Sequence, residues 1–340
     1  MGIFGNKYAS RIWKGGITTL PSNNKKLEVL MKLLTKILLP ILALTLVFSC
    51  SKNEKKKIYV FHAGSLSIPF KQMETAFETK YPQYDILRES SGSRKAARKI
   101  SDLHRECEVM ASADYTVIDK ILIADKFAKW NAKFATNEMA IMYNPKSKFA
   151  NEINSKNWYE ILQRKGVQYG HSDPNADPCG YRTMLVWQLA EKYYKKADLF
   201  NKLNKGCPLK NIRSAEVDLI GLLEAGELDY LFIYRSVAEQ HHLPFVILPD
   251  EINLKSAKYK DFYKQATYDV NGKKPGEKIT KTGKPMVYSI TIPSTAKEIK
   301  GAELFVKFVL SAEGQKIMTD NGQPSINPAQ ITGEIPDFLK

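Results

Sequence analysis

No Gly-x-x-x-x-Gly-Lys-Ser/Thr loop and no Gly-x-Gly-x-x-Gly turn occurs in this chain, so the two common backbone cradles for nucleotide phosphates are absent. Cysteine is scarce: Cys50, Cys107, Cys179 and Cys207 are the four in 340 residues. Their spacings match no zinc pattern. Three remain beyond Cys50, which leaves at least one thiol unpaired, and nothing in the order of Cys107, Cys179 and Cys207 selects a disulfide. No apolar run reaches the roughly 20 residues of a membrane-spanning helix.

Signals for catalysis are equally thin. Ser294-Thr295-Ala296-Lys297 and Lys281-Thr282-Gly283 mimic penicillin-binding motifs, but they stand in reversed order with no Ser-x-Asn element between them. His241 and His242 are adjacent and therefore point to different faces, with no third ligand at a metal-binding spacing. A thiol catalyst built from Cys179 and His171 would place its sulfur in a proline-rich turn next to two acids, where thiolate is disfavoured. The expectation is a protein without catalytic turnover, cofactor or resident metal.

The formal charge of +15 invites a nucleic-acid reading. However, seven of the 51 basic residues and one of the 36 acidic residues fall in the first 49 positions, which leaves +9 on the remainder. Beyond the leader the lysines are interspersed with acids, as at 192–196 and 255–264, in the manner of solvated helix faces and not of a nucleic-acid groove. The excess could steer an anionic ligand inward, over a screening length of about 8 Å at physiological salt.

From Met31 the chain has the layout of a secretory signal: Lys32 and Lys36, an apolar run at 37–48, then Ser49-Cys50. Val47-Phe48-Ser49-Cys50 resembles a lipobox, in which the cysteine is acylated and becomes the first mature residue; Phe48 is an unusual occupant. Residues 1–49 are therefore read as a leader, with the signal at 31–49 and translation expected to begin at Met31 and not in 1–30. Residues 50–57 then form a lipidated cysteine and a polar tether, too hydrophilic to offset the cost of ordering it. The folded domain is expected to start near Ile58.

Hydrophobic spacing beyond that point alternates strand, turn and helix. Residues 58–61 form a short apolar strand, and Phe70, Met73, Ala76 and Phe77 follow at helical spacing. Residues 84–87 and then Ala96, Ala97, Ile100 and Leu103 repeat the pattern, and 108–114 give a third strand and turn. This points to an α/β architecture with parallel strands and polar groups at their carboxyl ends. A long apolar run at 134–143 reads as a strand crossing into another lobe, and 286–292 as a strand crossing back. The expected organisation is a type II two-lobe fold, each lobe a mainly parallel sheet flanked by helices, with two hinge crossings. Lobe 1 comprises 58–137 and 287–340, and lobe 2 comprises 138–286. The tract at 270–283 reads as a turn-rich surface loop, and 302–310 and 315–318 as closing helices.

Four short polar stations stand along this framework: Ala63-Gly64-Ser65-Leu66, Ser91-Gly92-Ser93-Arg94, Asp173-Pro174-Asn175-Ala176-Asp177-Pro178-Cys179-Gly180-Tyr181-Arg182, and Arg213-Ser214-Ala215-Glu216. The first two sit between a strand and a helix start, where unpaired backbone N–H groups, the positive end of the helix dipole and a serine hydroxyl suit an oxyanion. Each serine alone is more readily a plain helix cap than a ligand group, and it is the repetition of the turn in successive strand-helix units that favours binding. Asp177 alone would cap the helix that follows, and Glu216 alone would be a charge at a helix N-terminus.

Strung out in this order behind a lipoprotein-type leader, the stations resemble the substrate-binding component of tungstate/molybdate ABC transporters, a bacterial solute-binding family, in its archaeal-type branch. The resemblance covers most of 58–328, including Gly314-Gln315 and Gly322-Gln323-Pro324. It departs at 194–211, which is shorter than in archaeal members. It implies that the carboxylates of Asp177 and Glu216 bind the metal centre of the oxyanion directly and complete six-fold coordination. It also implies that Gly64, Ser65, Ser93, Pro178, the Cys179 backbone and the Tyr234 hydroxyl complete the ligand site, with Arg235 a weaker candidate for a charge partner. The expected function is a lipid-anchored, monomeric, extracytoplasmic protein on the periplasmic or extracellular face. It would capture tungstate or molybdate for an ABC permease, with the membrane reached through the palmitate of Cys50 and no nucleic-acid partner. Sulfate or phosphate binding, or a thiol or serine surface enzyme, are the alternatives.

Overall fold

The computed structural model describes residues 28–34, 36 and 54–340. Residues 28–34 and 36 are helical and exposed, and they belong to a unit separate from the compact body Glu54–Lys340. Cys50, the apolar core of the leader and its cleavage site lie outside the described residues. No described helix is long and apolar enough to cross a membrane.

The body opens with β1 (Lys56–Ala63), α1 (Ser67–Lys80), β2 (Tyr84–Ser91), α2 (Ser93–Ser101) and β3 (Val109–Ser112). β1 begins two residues before Ile58, because Lys56 already pairs through its backbone, donating to Gln83 O at 2.9 Å, and a ladder bond is indifferent to the side chain. After β3 come β4 (Trp130–Thr136), β5 (Met139–Tyr143), β6 (Tyr169–Ser172), α3 (Pro178–Tyr193), α4 (Leu199–Gly206), β7 (Ile212–Arg213), β8 (Tyr230–Tyr234) and β9 (Phe245–Ile247). The chain ends with β10 (Thr267–Asn271), β11 (Lys278–Thr282), β12 (Val287–Thr291), α5 (Ile299–Leu310), α6 (Ala312–Asp320) and β13 (Ser325–Gly333).

Two main sheets result, with strand orders β13-β4-β12-β3-β1-β2 and β7-β6-β8-β5-β9. Parallel pairing is confined to β2-β1-β3 and β7-β6-β8, while β4, β12 and β13 in one sheet and β5 and β9 in the other pair antiparallel, so the sheets are mixed and not mainly parallel as expected, because the strands that cross between lobes run against the rest. Alternation along β1 sends Ile58 and Val60 to the face packed by Phe70 and Phe77 of α1 and Phe305 of α5, and Phe61 to the opposite face with Ala96, Ala97 and Ile100 of α2. In the second sheet Trp187 of α3 packs edge-on against Phe232 of β8, with ring centroids 5.4 Å apart.

The run at 134–143 is not one strand. It breaks between β4 and β5 at Asn137-Glu138, where the chain leaves one sheet for the other, and β12 returns to the first. Asn137 Nδ2 donates to Ser236 Oγ at 2.7 Å and to Tyr288 Oη at 2.9 Å, while Glu138 accepts from Arg235 at 2.9 Å and from Lys255 at 3.2 Å. These bonds brace the crossing.

Two local expectations are corrected. Leu103 is 68% exposed because α2 ends at Ser101, so the residue has left the helical stripe. Tract 270–283 contains the second strand of a hairpin, β10–β11, that lies across the other lobe. Arg94 of α2 donates to Asn271 O at 2.5 Å, Arg98 donates to Gly272 O, and Lys273 Nζ bonds Asp125 Oδ2 at 2.9 Å.

Candidate functional site

The stations converge. Gly64, Ser65, Ser93, Asp177, Pro178, Cys179, Glu216 and Tyr234 are all buried, although they come from both sheets and span 170 positions of the chain.

Gly64 and Ser65 form a single 3-10 turn, Gly64–Leu66, directly after β1. Ser93 opens α2 directly after β2 and Gly92. Neither hydroxyl caps its own helix. Ser65 Oγ accepts from Tyr288 Oη at 2.9 Å, and its carbonyl accepts from Gln323 at 2.8 Å. Ser93 Oγ accepts from the Ala113 N–H at 3.0 Å. The plain capping explanation therefore fails for both serines, and each is held by a partner distant in sequence with its own O–H still able to donate.

Asp177 does cap α3. Its Oδ1 accepts from Cys179 N at 3.3 Å, as its sequence position before Pro178 suggests. Its second oxygen turns to the fourth station and accepts from Glu216 N at 3.2 Å. Glu216 begins a short 3-10 turn after β7 and is 1% exposed. Among the described residues neither carboxylate oxygen has a partner at hydrogen-bonding geometry, although the Ser65 backbone N–H stands near enough to oppose the rise of its carboxyl.

Close approach explains two glycines. A Cβ on Gly64 would stand 3.1 Å from both carboxylate oxygens of Glu216, and one on Gly92 would stand 2.6 Å from Ala176 O and 2.7 Å from Ser214 O. The turns of the six-stranded side thus lie directly against the loops that carry the two carboxylates. A β-carbon at either position would hold the two sides apart.

The electrostatics follow from burial. Removal from water raises the Asp177 carboxyl and raises Glu216 well above the usual range, and for Glu216 the neighbouring Asp177 charge adds to the effect. The two acids share a buried space in which no cation pairs with either. Burial, and then the charges on Glu216 and Asp177, push the Cys179 thiol well above its normal value. That thiol donates to Phe232 O at 3.7 Å and not to His171, whose Nδ1 donates to Ser172 O at 2.7 Å. It is the opposite of an activated nucleophile.

Tyr234 ends β8 with its ring fully buried, and its hydroxyl accepts from Arg182 Nη1 at 2.9 Å. Arg235 points elsewhere, to Glu138 and Glu239 at the crossing, so it is no part of the site. His241 and His242 gather no ligands, and the described residues contain no cluster of three or more metal-ligating side chains. Cys107, Cys179 and Cys207 are all free and buried.

Several residues of this region were not legible in the sequence. Asp114 is buried and accepts from Tyr181 Oη at 2.5 Å and Thr116 Oγ1 at 2.8 Å, with Lys284 at 3.2 Å and Lys281 at 4.0 Å. Burial alone would raise its carboxyl, but Lys284, Lys281 and Arg182 pull it well below the usual range. Arg182 had no signal beyond its place in the third station.

Two α/β lobes with buried polar turns meeting at the carboxyl ends of their parallel strands form a cleft placed to hold a small solute. The fold matches that of the sulfate-binding protein SubI from Mycobacterium tuberculosis H37Rv, with a TM-score of 0.57 over 80% of this chain and 88% of that one, at 11% identity. The chain belongs to the bacterial extracellular solute-binding protein family, whose pattern it matches over residues 58–323. It is 58% identical over 290 residues to an uncharacterized solute-binding protein of Petrotoga mobilis, covering 84% of this chain and 90% of the relative. It is 40% identical over 338 residues to the molybdate/tungstate-binding protein WtpA of Thermococcus kodakarensis, covering 89% and 93%.

Proposed function

We propose that this protein captures tungstate or molybdate between its lobes and delivers it to the permease of an ABC importer. One observation carries the reading: Asp177 and Glu216 are buried together, Glu216 against Gly64 and Asp177 against Gly92, and no cation pairs with either. Two acids lining an anion site would repel sulfate or phosphate. They make chemical sense as ligands of a hard, high-valent metal centre, which those anions do not offer. The similarity to the molybdate/tungstate-binding protein of Thermococcus supports the same assignment; the fold alone does not, since a sulfate-binding protein shares it.

In this reading Ser65, Ser93 and Tyr234 donate hydroxyl hydrogens to the oxo groups. Gly64 and Cys179 supply backbone N–H, the latter shared with the Asp177 cap, and Pro178 fixes the turn. Binding selects the closed state, because the Ser65 and Ser93 donors and the two carboxylates come from opposite sides of the cleft. Acylation of Cys50 would hold the monomeric protein at the membrane beside its permease.

Calorimetric titration of the purified protein with tungstate, molybdate and sulfate tests this. Binding of the first two, none of sulfate, and loss of binding in Asp177→Ala and Glu216→Ala are expected. A folded wild-type protein that takes up sulfate and neither metal oxyanion would overturn the assignment.

A further inference from the structure

Arg182 stands five residues after Asp177 on α3 and is 2% exposed. Its Nη1 makes two bonds that join the two sides of the cleft: to Ala113 O at 2.8 Å, just after β3, and to Tyr234 Oη at 2.9 Å, at the end of β8. The guanidinium also lies 5.6 Å from the centroid of the Tyr234 ring. Its Nη2 is buried, and no acceptor among the described residues reaches it.

The surrounding charges are unbalanced. Asp114 is the carboxylate whose charge acts on this group, and it is already engaged by Lys284, Lys281 and Tyr181. Three buried or half-buried cations therefore face a single acid. Asp177 and Glu216 present the reverse imbalance, two acids with no cation bonded to either. Tyr234 links the two groups, since its hydroxyl feels the charge of both Arg182 and Asp177. A dianion placed beside two carboxylates in a dry cleft needs a fixed cation nearby to be held at all.

We propose that Arg182 is the positioning and charge-balancing residue of the anion site: it occupies the acceptor side of the Tyr234 hydroxyl, and so aims that O–H at the anion, while its bond to Ala113 O locks the closed lobes around it. The proposal rests on the reading that an anion binds here. An arginine hydrogen-bonded to a tyrosine hydroxyl cannot receive from it, so the phenolic hydrogen must go to another acceptor. The same guanidinium cannot reach Ala113 unless the lobes are closed, which couples the hydroxyl's orientation to closure.

The test is a double-variant cycle with tungstate as titrant, on Arg182→Met, Tyr234→Phe and the combination, with the fold of each checked by near-ultraviolet circular dichroism. Each single change should weaken binding about ten- to hundredfold, the range for a hydrogen bond to a charged group. The combination should be little worse than Arg182→Met alone, because both act through one hydroxyl. Dissociation should quicken by a similar factor, a change that a residue serving only to pack the core would not impose on a folded protein. Arg182→Lys, which keeps the charge but not the two-pronged geometry, should recover part of the affinity, and it replaces Arg182→Met in the cycle if that variant does not fold. Wild-type affinity in a folded Arg182 variant, or losses that simply multiply in the combination, would overturn the proposal. Failure of the wild type to bind tungstate would show up before any variant is made, and it would overturn the anion reading beneath it.

Discussion

The carboxylate of Glu216 lies against Gly64, so close that a β-carbon there would stand 3.1 Å from both of its oxygens. Residues 152 positions apart thus share one contact, and it depends on the lobes being closed. The same logic applies more severely at Gly92, whose added Cβ would meet two backbone carbonyls of the opposite side at 2.6 and 2.7 Å. The three nearest obstructing atoms belong to Ala176, Asp177 and Ser214, across the cleft. Gly92→Ala is therefore expected to fold and melt like the wild type without ligand, yet to stay open by small-angle scattering and lose about a hundredfold or more in anion affinity. Gly64→Ala meets only side-chain atoms and should cost about tenfold. Equal affinities for both variants and the wild type would contradict the closed geometry.

Thiol chemistry gives a second check. Cys107, Cys179 and Cys207 are buried and free, and burial raises all three thiols, Cys207 to about 12. None of the three should react with a disulfide reagent at neutral pH in the folded protein, and all three should react in denaturant. Rapid native modification of Cys179 would show that the cleft is wetter than described.

Acid stability is a third. Burial lowers His62 and His171 to about 4 each, from an ordinary value near 6.5. Each Nδ1 hydrogen is held by a neighbouring carbonyl, Ala63 O at 2.8 Å and Ser172 O at 2.7 Å. A depressed value in the folded state means stability that is fully present above pH 6.5 and is lost as pH falls towards 4, by about 3 kcal/mol for each ring. Glu216 works in the opposite sense: its raised carboxyl contributes stability at low pH that fades as pH rises. Denaturant melts between pH 7 and 4 should therefore show wild-type stability falling relative to that of His171→Asn, whose amide can still donate to Ser172 O, with the raised Glu216 and Asp177 carboxyls acting alike in both. A decline of equal slope in both would remove His171 from the explanation.

The stations were legible because strand, tight turn and helix leave short-range marks, such as the apolar run before Gly64 and the helical spacing after it. Their partners were not. Ser65 and Ser93 looked like caps and turned out to be held by Tyr288 and Ala113, which only the folded sheet order brings near. Leu103 fitted the helical stripe of α2, but the helix stops before it. The tract around Gly272 carried every mark of a surface loop, and as a hairpin it shows the same marks while Arg94 and Arg98 bind its carbonyls. β13 escaped notice because Pro328 breaks its pattern, which an edge strand with a register shift tolerates. Arg182 was hidden for a different reason: a buried arginine is defined by its partners, and these lie 52 and 69 positions away.

The central claim, that Asp177 and Glu216 ligate the metal of the oxyanion, is tested most directly by X-ray absorption at the tungsten edge on the tungstate-loaded protein. A six-coordinate centre is expected, with light-atom ligands beyond the four oxo groups, and it is lost in Asp177→Ala or Glu216→Ala. A tetrahedral spectrum, indistinguishable from free tungstate in the loaded wild type, would contradict it.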